Sequence, residues 1–155
     1  DLMLWMSGSR VVSAYAQTVQ YRGHANPDLG QVMYRLASGA SCMLESVWCL
    51  PNATPFQIDE RLEIIGTEGS ISVHDTHPNF MVVDKEGARC PDTTYWPTIH
   101  GRLHGALRDE LAYFAGCVAS GSKPAVITAE ESREAVRACL AAEESARTGR
   151  VVTLA

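Results

Sequence analysis

A pair of short apolar runs at residues 61–73 places the strongest constraint on the fold of this chain. Leu62 and Ile64 are spaced by two residues in the first run, and Ile71 and Val73 are spaced in the same way in the second. A period of two is typical of strands, and the two glycines between the runs mark a reversal of the chain. The segment therefore predicts a β-hairpin.

Further strands are predicted on both sides of this hairpin. Alternating residues predict strands at 11–21, 31–38 and 41–50, the last two joined by a short turn with Gly39 at its tip. The hairpin itself is predicted to pair residues 59–66 with 70–74, and shorter strands are predicted at 80–84, 88–93 and 151–154.

Helices are predicted near the beginning of the chain and in its last third. The first six residues are typical of a helix, and a second helix is predicted over 103–119 from apolar residues that recur every three or four positions: Leu103, Leu107, Leu111, Phe114 and Val118. Thr128 followed by Glu131 predicts a capping box for a helix over 128–148 that stops at Gly149. We therefore expect one α+β domain over 1–155, a mostly antiparallel open β-sheet with helices packed on one face.

The strand at 41–50 is unusual because neither of its faces is clearly polar. One face carries four residues of which only one is charged: Met43, Glu45, Val47 and Cys49. A face exposed to water normally shows a clean alternation of apolar and polar residues. We therefore expect another surface, of a second copy or of a neighbouring domain, to cover part of this face.

Charge and composition exclude several classes of protein. The net charge is −5 and the 13 Lys and Arg residues are scattered, so no surface for nucleic acid is expected. No apolar stretch approaches the roughly 20 residues of a membrane helix, so no membrane segment is expected. The five cysteines form no CxxC pair, and Cys117 and Cys139 fall among apolar residues of predicted helices. We interpret them as small hydrophobic residues of a cytoplasmic protein.

Five segments, in this order, resemble the C-terminal domain of the glucose–fructose oxidoreductase / inositol dehydrogenase (Gfo/Idh/MocA) family. The start of the chain, from Asp1 to Trp5 and Gly8, looks like the tail of the family motif DxGxHxxDxxxW…G, with Asp1 at the second aspartate. The other four are a strand that ends in Trp48 before Pro51, residues 59–69, residues 109–124 and residues 135–154.

The resemblance implies a parent enzyme that transfers hydride between NAD or NADP and a hydroxyl-bearing carbon of a sugar or polyol. It places the cofactor in an N-terminal Rossmann domain, whose Gly-rich turn this chain lacks. The catalytic Lys, Asp and His of the family would precede Asp1. We therefore expect this chain to contain no catalytic, cofactor-binding or metal-binding residue. It would instead wall the substrate pocket and form a homo-oligomer through its sheet.

The same resemblance gives candidate substrate-binding residues. The segment from Tyr95 to Arg102 borders the substrate in inositol dehydrogenase-like members, which makes Arg102, Trp96 and His100 candidates. Arg102 would donate hydrogen bonds to hydroxyl groups, and Trp96 would stack on a sugar ring. The alternative is a solvated Arg102 and a core Trp96. Gln57 is the one long polar side chain of a second segment, 54–58, that the resemblance places near the substrate.

Other interpretations stay open at this point. His100 and His104 have the spacing of two metal ligands on a helix, but no third ligand is evident. His74 and His77 have the same difficulty. The parent could also be an NAD-dependent glycosidase of the same family or a reductase of another carbonyl or imine. A protein of a different class, a stand-alone dimerisation module without chemistry, is a further alternative. A GxGxxG and a DxGxH ending at Asp1 in the sequence encoded upstream would exclude the stand-alone module.

Overall fold

The structure is a computed structural model that describes residues 1–56, 58–74 and 80–155. Among these residues, the helices are α1 (Leu2–Ser7), α2 (Ala106–Ser120) and α3 (Ala129–Thr148). The strands in the described ranges are β1 (Val11–Val19), β2 (Leu29–Leu36), β3 (Ser41–Val47), β4 (Arg61–Ile65), β5 (Ser70–His74), β6 (Val82–Asp84), β7 (Gly87–Arg89), β8 (Thr98–Ile99), β9 (Arg102–Leu103) and β10 (Val152–Thr153).

The contacts divide the chain into two compact units. The first unit combines residues 1–50 with 123–155, and the second contains residues 51–122. The expectation of one domain over the whole chain stays a prediction.

An antiparallel four-stranded sheet in the order β10-β1-β2-β3 forms the centre of the first unit. Helix α3 packs on β1 through buried alanines, and small side chains permit a close approach of helix to sheet. The core contains Ala14, Ala16, Val32, Tyr34 and Leu36 of the sheet together with Ala138, Ala141 and Ala142 of the helix. This arrangement confirms the predicted α+β fold class.

The first three strands are found where the alternation predicts them, but their ends differ. Strand β1 ends at Val19 and not at residue 21, because the carboxylate of Asp28 accepts the backbone N–H groups of Tyr21 (2.7 Å) and Arg22 (2.6 Å). Strand β3 ends at Val47 and not at residue 50. Beyond it, the Arg22 guanidinium donates to the carbonyls of Cys49 and Leu50, at 3.0 and 2.9 Å.

Both ends of α3 match the prediction. The Thr128 hydroxyl accepts the Glu131 N–H at 3.1 Å, and the Glu131 carboxylate accepts the Thr128 N–H at 2.8 Å, which is the predicted capping box. The N–H and the hydroxyl of Thr128, in that order, lower the pKa of Glu131. The helix ends at Gly149, which is left-handed with φ 68°.

In its described residues, the second unit contains three short hairpins and α2. The predicted central hairpin is confirmed, since β4 pairs with β5 with Leu62 opposite Val73 and Ile64 opposite Ile71. Strand β6 pairs with β7, and β8 pairs with β9. The predicted start of the second helix at Leu103 is wrong, because Leu103 pairs with Thr98 in the β8–β9 hairpin and α2 begins only at Ala106.

All five cysteines are free thiols. Cys117 is buried, as predicted, whereas Cys139 is exposed, so its predicted burial is wrong. Cys139 is one residue beyond the buried Ala138, and one residue turns a helix by about 100°, which carries the side chain away from the sheet. In the described part of the chain, no helix combines the length and the apolar character that crossing a membrane requires.

Candidate functional site

The loop at residues 92–105 in the second unit contains three of the four candidate substrate-binding residues. Asp92 fixes its beginning: one carboxylate oxygen accepts the N–H groups of Thr94 and Tyr95, both at 2.9 Å, and the other accepts that of Trp96 at 2.7 Å. Burial opposes the charged form of Asp92, but these three donors together outweigh it and lower its pKa. The backbone around Trp96 is therefore held by a charged carboxylate.

The end of the loop is joined to the first turn of α2. The carbonyls of Thr94 and Tyr95 accept the N–H groups of Ala106 and Leu107, at 3.0 and 3.1 Å. Gly105 directly precedes Ala106 and has a φ of 91°. A Cβ atom on Gly105 would be 2.5 Å from the Thr94 oxygen and 2.7 Å from the Tyr95 oxygen. Only glycine fits this close approach. The loop is thus anchored at both ends by backbone groups.

His100 lies at the tip of the hairpin inside this loop. His100 and Gly101 both have positive φ angles, 50° and 74°, which is the conformation of a two-residue type I′ turn. Among the described residues, His100 is the one residue other than glycine that has a positive φ angle. Arg102 follows on β9 opposite Ile99. Both His100 and Arg102 are exposed, and the Arg102 guanidinium contacts no described carboxylate.

Trp96 lies beside Tyr95, and the Tyr95 hydroxyl contacts Glu60, which the sequence did not indicate as a site residue. The two rings are 5.9 Å apart and tilted by 50°, and the Tyr95 hydroxyl donates to Glu60 at 2.8 Å. Trp96 is 44% exposed, so the alternative of a core tryptophan is wrong. Glu60 lies 35 residues before Tyr95, and no local pattern in the sequence signals a contact over that separation.

The histidine pairs form no metal site within the described residues. Gln57 and His77 lie outside the described residues. His100 is in a turn and His104 in the segment that follows β9, so they do not share a helix face. In residues 1–56, 58–74 and 80–155, no group of three His, Cys, Asp or Glu side chains is arranged to hold a metal ion.

The described residues do not fit the pyrophosphate of a dinucleotide, which requires a Gly-rich turn between a strand and a free helix N-terminus. The turn at residues 66–69 joins β4 to β5, two antiparallel strands. The first amides of α2 are taken by Thr94 and Tyr95, and α3 is closed by its capping box.

Comparison with solved structures defines the class of fold. The chain is similar over 99% of its length to 45% of GenD2 from gentamicin A biosynthesis, solved in complex with NAD, with a TM-score of 0.77 and 23% identity. It is similar over 99% of its length to 45% of the myo-inositol 2-dehydrogenase from Lactobacillus plantarum, with a TM-score of 0.70 and 19% identity. The fold is that of a dehydrogenase C-terminal domain.

Sequence comparison identifies the family. The family model described as GFO/IDH/MocA C-terminal domain matches residues 1–72. The chain is 32% identical over 102 residues to the scyllo-inositol 2-dehydrogenase (NAD(+)) of Bacillus subtilis strain 168, covering 65% of the chain and 29% of that enzyme. It is 30% identical over 123 residues to Inositol 2-dehydrogenase 2 of Saccharopolyspora erythraea, covering 78% of the chain and 34% of that protein. The chain belongs to the Gfo/Idh/MocA family, as a C-terminal domain. It spans about a third of the length of these curated relatives.

Proposed function

We propose that this chain is the substrate-binding and oligomerisation domain of an NAD(P)-dependent dehydrogenase that acts on an inositol-like polyol. The observation that carries this proposal is its identity of 32% and 30% with two inositol dehydrogenases, together with a polar loop at residues 92–105 that is held at both ends. In the reaction of such an enzyme, a base removes the hydroxyl proton while hydride passes to the nicotinamide.

In this proposal the chain orients the substrate and binds no cofactor itself. NAD is favoured over NADP because the Bacillus subtilis relative is named as NAD-dependent. The closed N-termini of α2 and α3 support a nucleotide site outside this chain. The catalytic base and the acid would likewise come from the remainder of the parent enzyme.

The side chains that we assign to substrate contact are Trp96, His100 and Arg102, with Gln57 from outside the described residues. Arg102 has several N–H donors and contacts no described carboxylate, so it is available to the oxygens of a polyol. Trp96 exposes almost half of its surface and offers a flat apolar face to the ring of a cyclitol.

Isothermal titration of the purified chain with myo-inositol, NAD and NADP tests this assignment. We expect weak binding of myo-inositol and none of either nucleotide. Arg102→Ala should weaken polyol binding by about tenfold, the order expected from lost hydrogen bonds to a charged group. The matched control is Arg108→Ala, which removes another exposed arginine of the same unit. Micromolar nucleotide binding, or no response to any polyol of a small panel, would contradict the proposal.

The sheet of the first unit supports the oligomerisation part of the proposal. On the face opposite α3, Tyr15, Met33 and Met43 are neighbours in register across three strands. All three are exposed, and Met43 exposes 80% of its surface. A row of apolar side chains across the middle of a sheet is typical of a surface that pairs with another protein. We assign this face to a second copy of the same chain, since a self-complementary face is the simplest route to a symmetric dimer.

Sedimentation equilibrium measures this association directly. We expect the chain to dimerise and Met33→Lys to shift it to the monomer, because a charge in the middle of the row would be buried without a partner. Met81→Lys, at an exposed methionine of the second unit, is the control and should leave the mass unchanged. A wild-type chain that stays monomeric at high micromolar concentration would show that the exposed row has another role.

We also place the protein in the reducing cytoplasm. The observation behind this is that all five cysteines are free thiols. Five titratable thiols in protein isolated under alkylating conditions from its native cell are the expected result, and a disulfide would contradict it.

A further inference from the structure

The hydrogen bond between Tyr95 and Glu60 connects the candidate loop to the beginning of the central hairpin. Glu60 immediately precedes β4, and its carboxylate accepts the Tyr95 hydroxyl through one oxygen, Oε2, at 2.8 Å. Tyr95 is half-buried, and its own N–H donates to Asp92. The tyrosine is therefore fixed at its backbone and at its hydroxyl, and it holds the Glu60 carboxylate in one position.

The second oxygen of Glu60 is free to accept another hydrogen bond. The neighbouring cation, Arg61, pairs with Asp59 at 3.2 Å, so it does not neutralise Glu60. Among the residues that the structure describes, no ion pair includes Glu60, and its Oε1 accepts from no side chain. The result is an exposed carboxylate with a fixed orientation and an available acceptor.

The same tyrosine also lies beside an aromatic ring, that of Trp96. The Trp96 ring is 5.9 Å from that of Tyr95 and is 44% exposed. A carboxylate accepts hydrogen bonds from hydroxyl donors, and an indole face packs against the C–H groups of a saturated ring. Adjacent hydroxyls on a cyclic carbon skeleton present both kinds of group, so a polyol is the ligand class that matches this pair of features.

We propose that Glu60 is a specificity-determining acceptor for a hydroxyl of the polyol and that Tyr95 is the residue that positions it. This inference rests on the proposed function, because it adds Glu60 and Tyr95 to the same site. It assigns them different roles: Glu60 contacts the ligand, whereas Tyr95 acts through the Glu60 carboxylate.

Titration calorimetry of the complete chain with myo-inositol tests both roles. Glu60→Gln keeps the size of the side chain but replaces one acceptor oxygen by a donor, and Tyr95→Phe removes only the hydroxyl. We expect each change to raise the dissociation constant about three- to tenfold, the range for one hydrogen bond. Glu63→Gln on β4 and Tyr21→Phe are matched controls at exposed sites and should bind as the wild type does.

The double variant distinguishes a positioning role of Tyr95 from a direct contact between Tyr95 and the ligand. If Tyr95 acts only through Glu60, then Tyr95→Phe should have little further effect once Glu60→Gln is present. Additive effects of the two changes would overturn the positioning role. Wild-type binding in both single variants would overturn the whole inference while leaving the proposed polyol site intact. No binding of myo-inositol or of a polyol panel by the wild type would overturn both.

Discussion

The Ser145 hydroxyl on α3 accepts the backbone N–H of Ala16 on β1 at 2.9 Å, between residues 129 positions apart. The same hydroxyl donates to the carbonyl of Arg150 at 2.6 Å. The edge partner of β1 is β10, which lies opposite Ser13 and Ala14 and is continued by the hydrogen bond from the Leu154 N–H to the Val12 carbonyl, so its pairing runs away from Ala16. The Ser145 hydroxyl therefore takes the place of a strand partner for β1 at Ala16, where β10 no longer pairs with it. The Ser145 side chain is completely buried.

We expect Ser145→Ala to destabilise the first unit by about 1–3 kcal/mol, because it leaves the buried N–H of Ala16 and the carbonyl of Arg150 without their partner. Urea unfolding followed by circular dichroism measures the loss. Ser132→Ala, at an exposed serine on the same helix, is the control and should change the free energy of unfolding by less than about 0.5 kcal/mol. An equal effect of the two substitutions would mean that water replaces the Ser145 hydroxyl without cost.

The capping box of α3 provides a second prediction. Thr128→Ala removes the acceptor of the Glu131 N–H and should destabilise the chain by about 1 kcal/mol, the usual cost of a lost N-cap. Thr128→Ser keeps the hydroxyl and should unfold at nearly the wild-type denaturant concentration. If the serine variant is as unstable as the alanine variant, the methyl group of Thr128, and not the cap, carries the stabilisation.

The features that the sequence predicts correctly are those with a local physical cause. The capping box needs only Thr128 and Glu131, three residues apart, and the stop of α3 needs only a glycine that tolerates a left-handed conformation. The β4–β5 hairpin likewise follows from the alternation of Leu62 and Ile64. The family follows from several such segments in order.

The features that the sequence does not predict depend on contacts between distant residues. Leu103 continues the apolar spacing of α2, but its pairing with Thr98 places it in a strand. The Tyr95–Glu60 hydrogen bond joins residues 35 positions apart, and the Ser145–Ala16 bond joins residues 129 positions apart. Periodicity indicates which face of a helix or strand is apolar. It does not indicate which distant segments of the chain pack together, and these contacts depend on that packing.

Asp28 gives a pH-dependent prediction. The N–H of Arg22 lowers its pKa, burial opposes this, and the N–H of Tyr21 adds to the lowering. Since the folded pKa lies below the unfolded value of about 3.9, the charged carboxylate stabilises the fold above that pH and loses its effect as the pH falls through the folded pKa.

Asp28→Asn should therefore be less stable than the wild type at pH 7, and the difference between them should shrink below about pH 4. Urea unfolding at a series of pH values measures it. Asp109→Asn removes an exposed aspartate of α2 and should show no comparable trend. If the difference in the free energy of unfolding stays constant down to pH 3, the variant is destabilised by the changed hydrogen-bonding groups of asparagine and not by the loss of the charge.

Gly105 tests the anchoring of the candidate loop. An alanine there would have to adopt φ 91° with ψ −174°, a conformation essentially restricted to glycine, and would place its Cβ 2.5 Å from the Thr94 oxygen and 2.9 Å from the Pro97 ring. Gly121 is left-handed, with φ 67° and ψ 15°, and has open space around it, so Gly121→Ala is the reference for an alanine at a left-handed glycine without overlap, about 1–2 kcal/mol. Gly105→Ala should cost about 1–3 kcal/mol more, because its backbone conformation is less accessible to alanine and the loop must move to relieve the overlap. Amide exchange measured by NMR should then rise at Ala106 and Leu107, whose donors are bound to that loop. Equal stability and exchange in the two alanine variants would mean that the loop is not held against the start of α2.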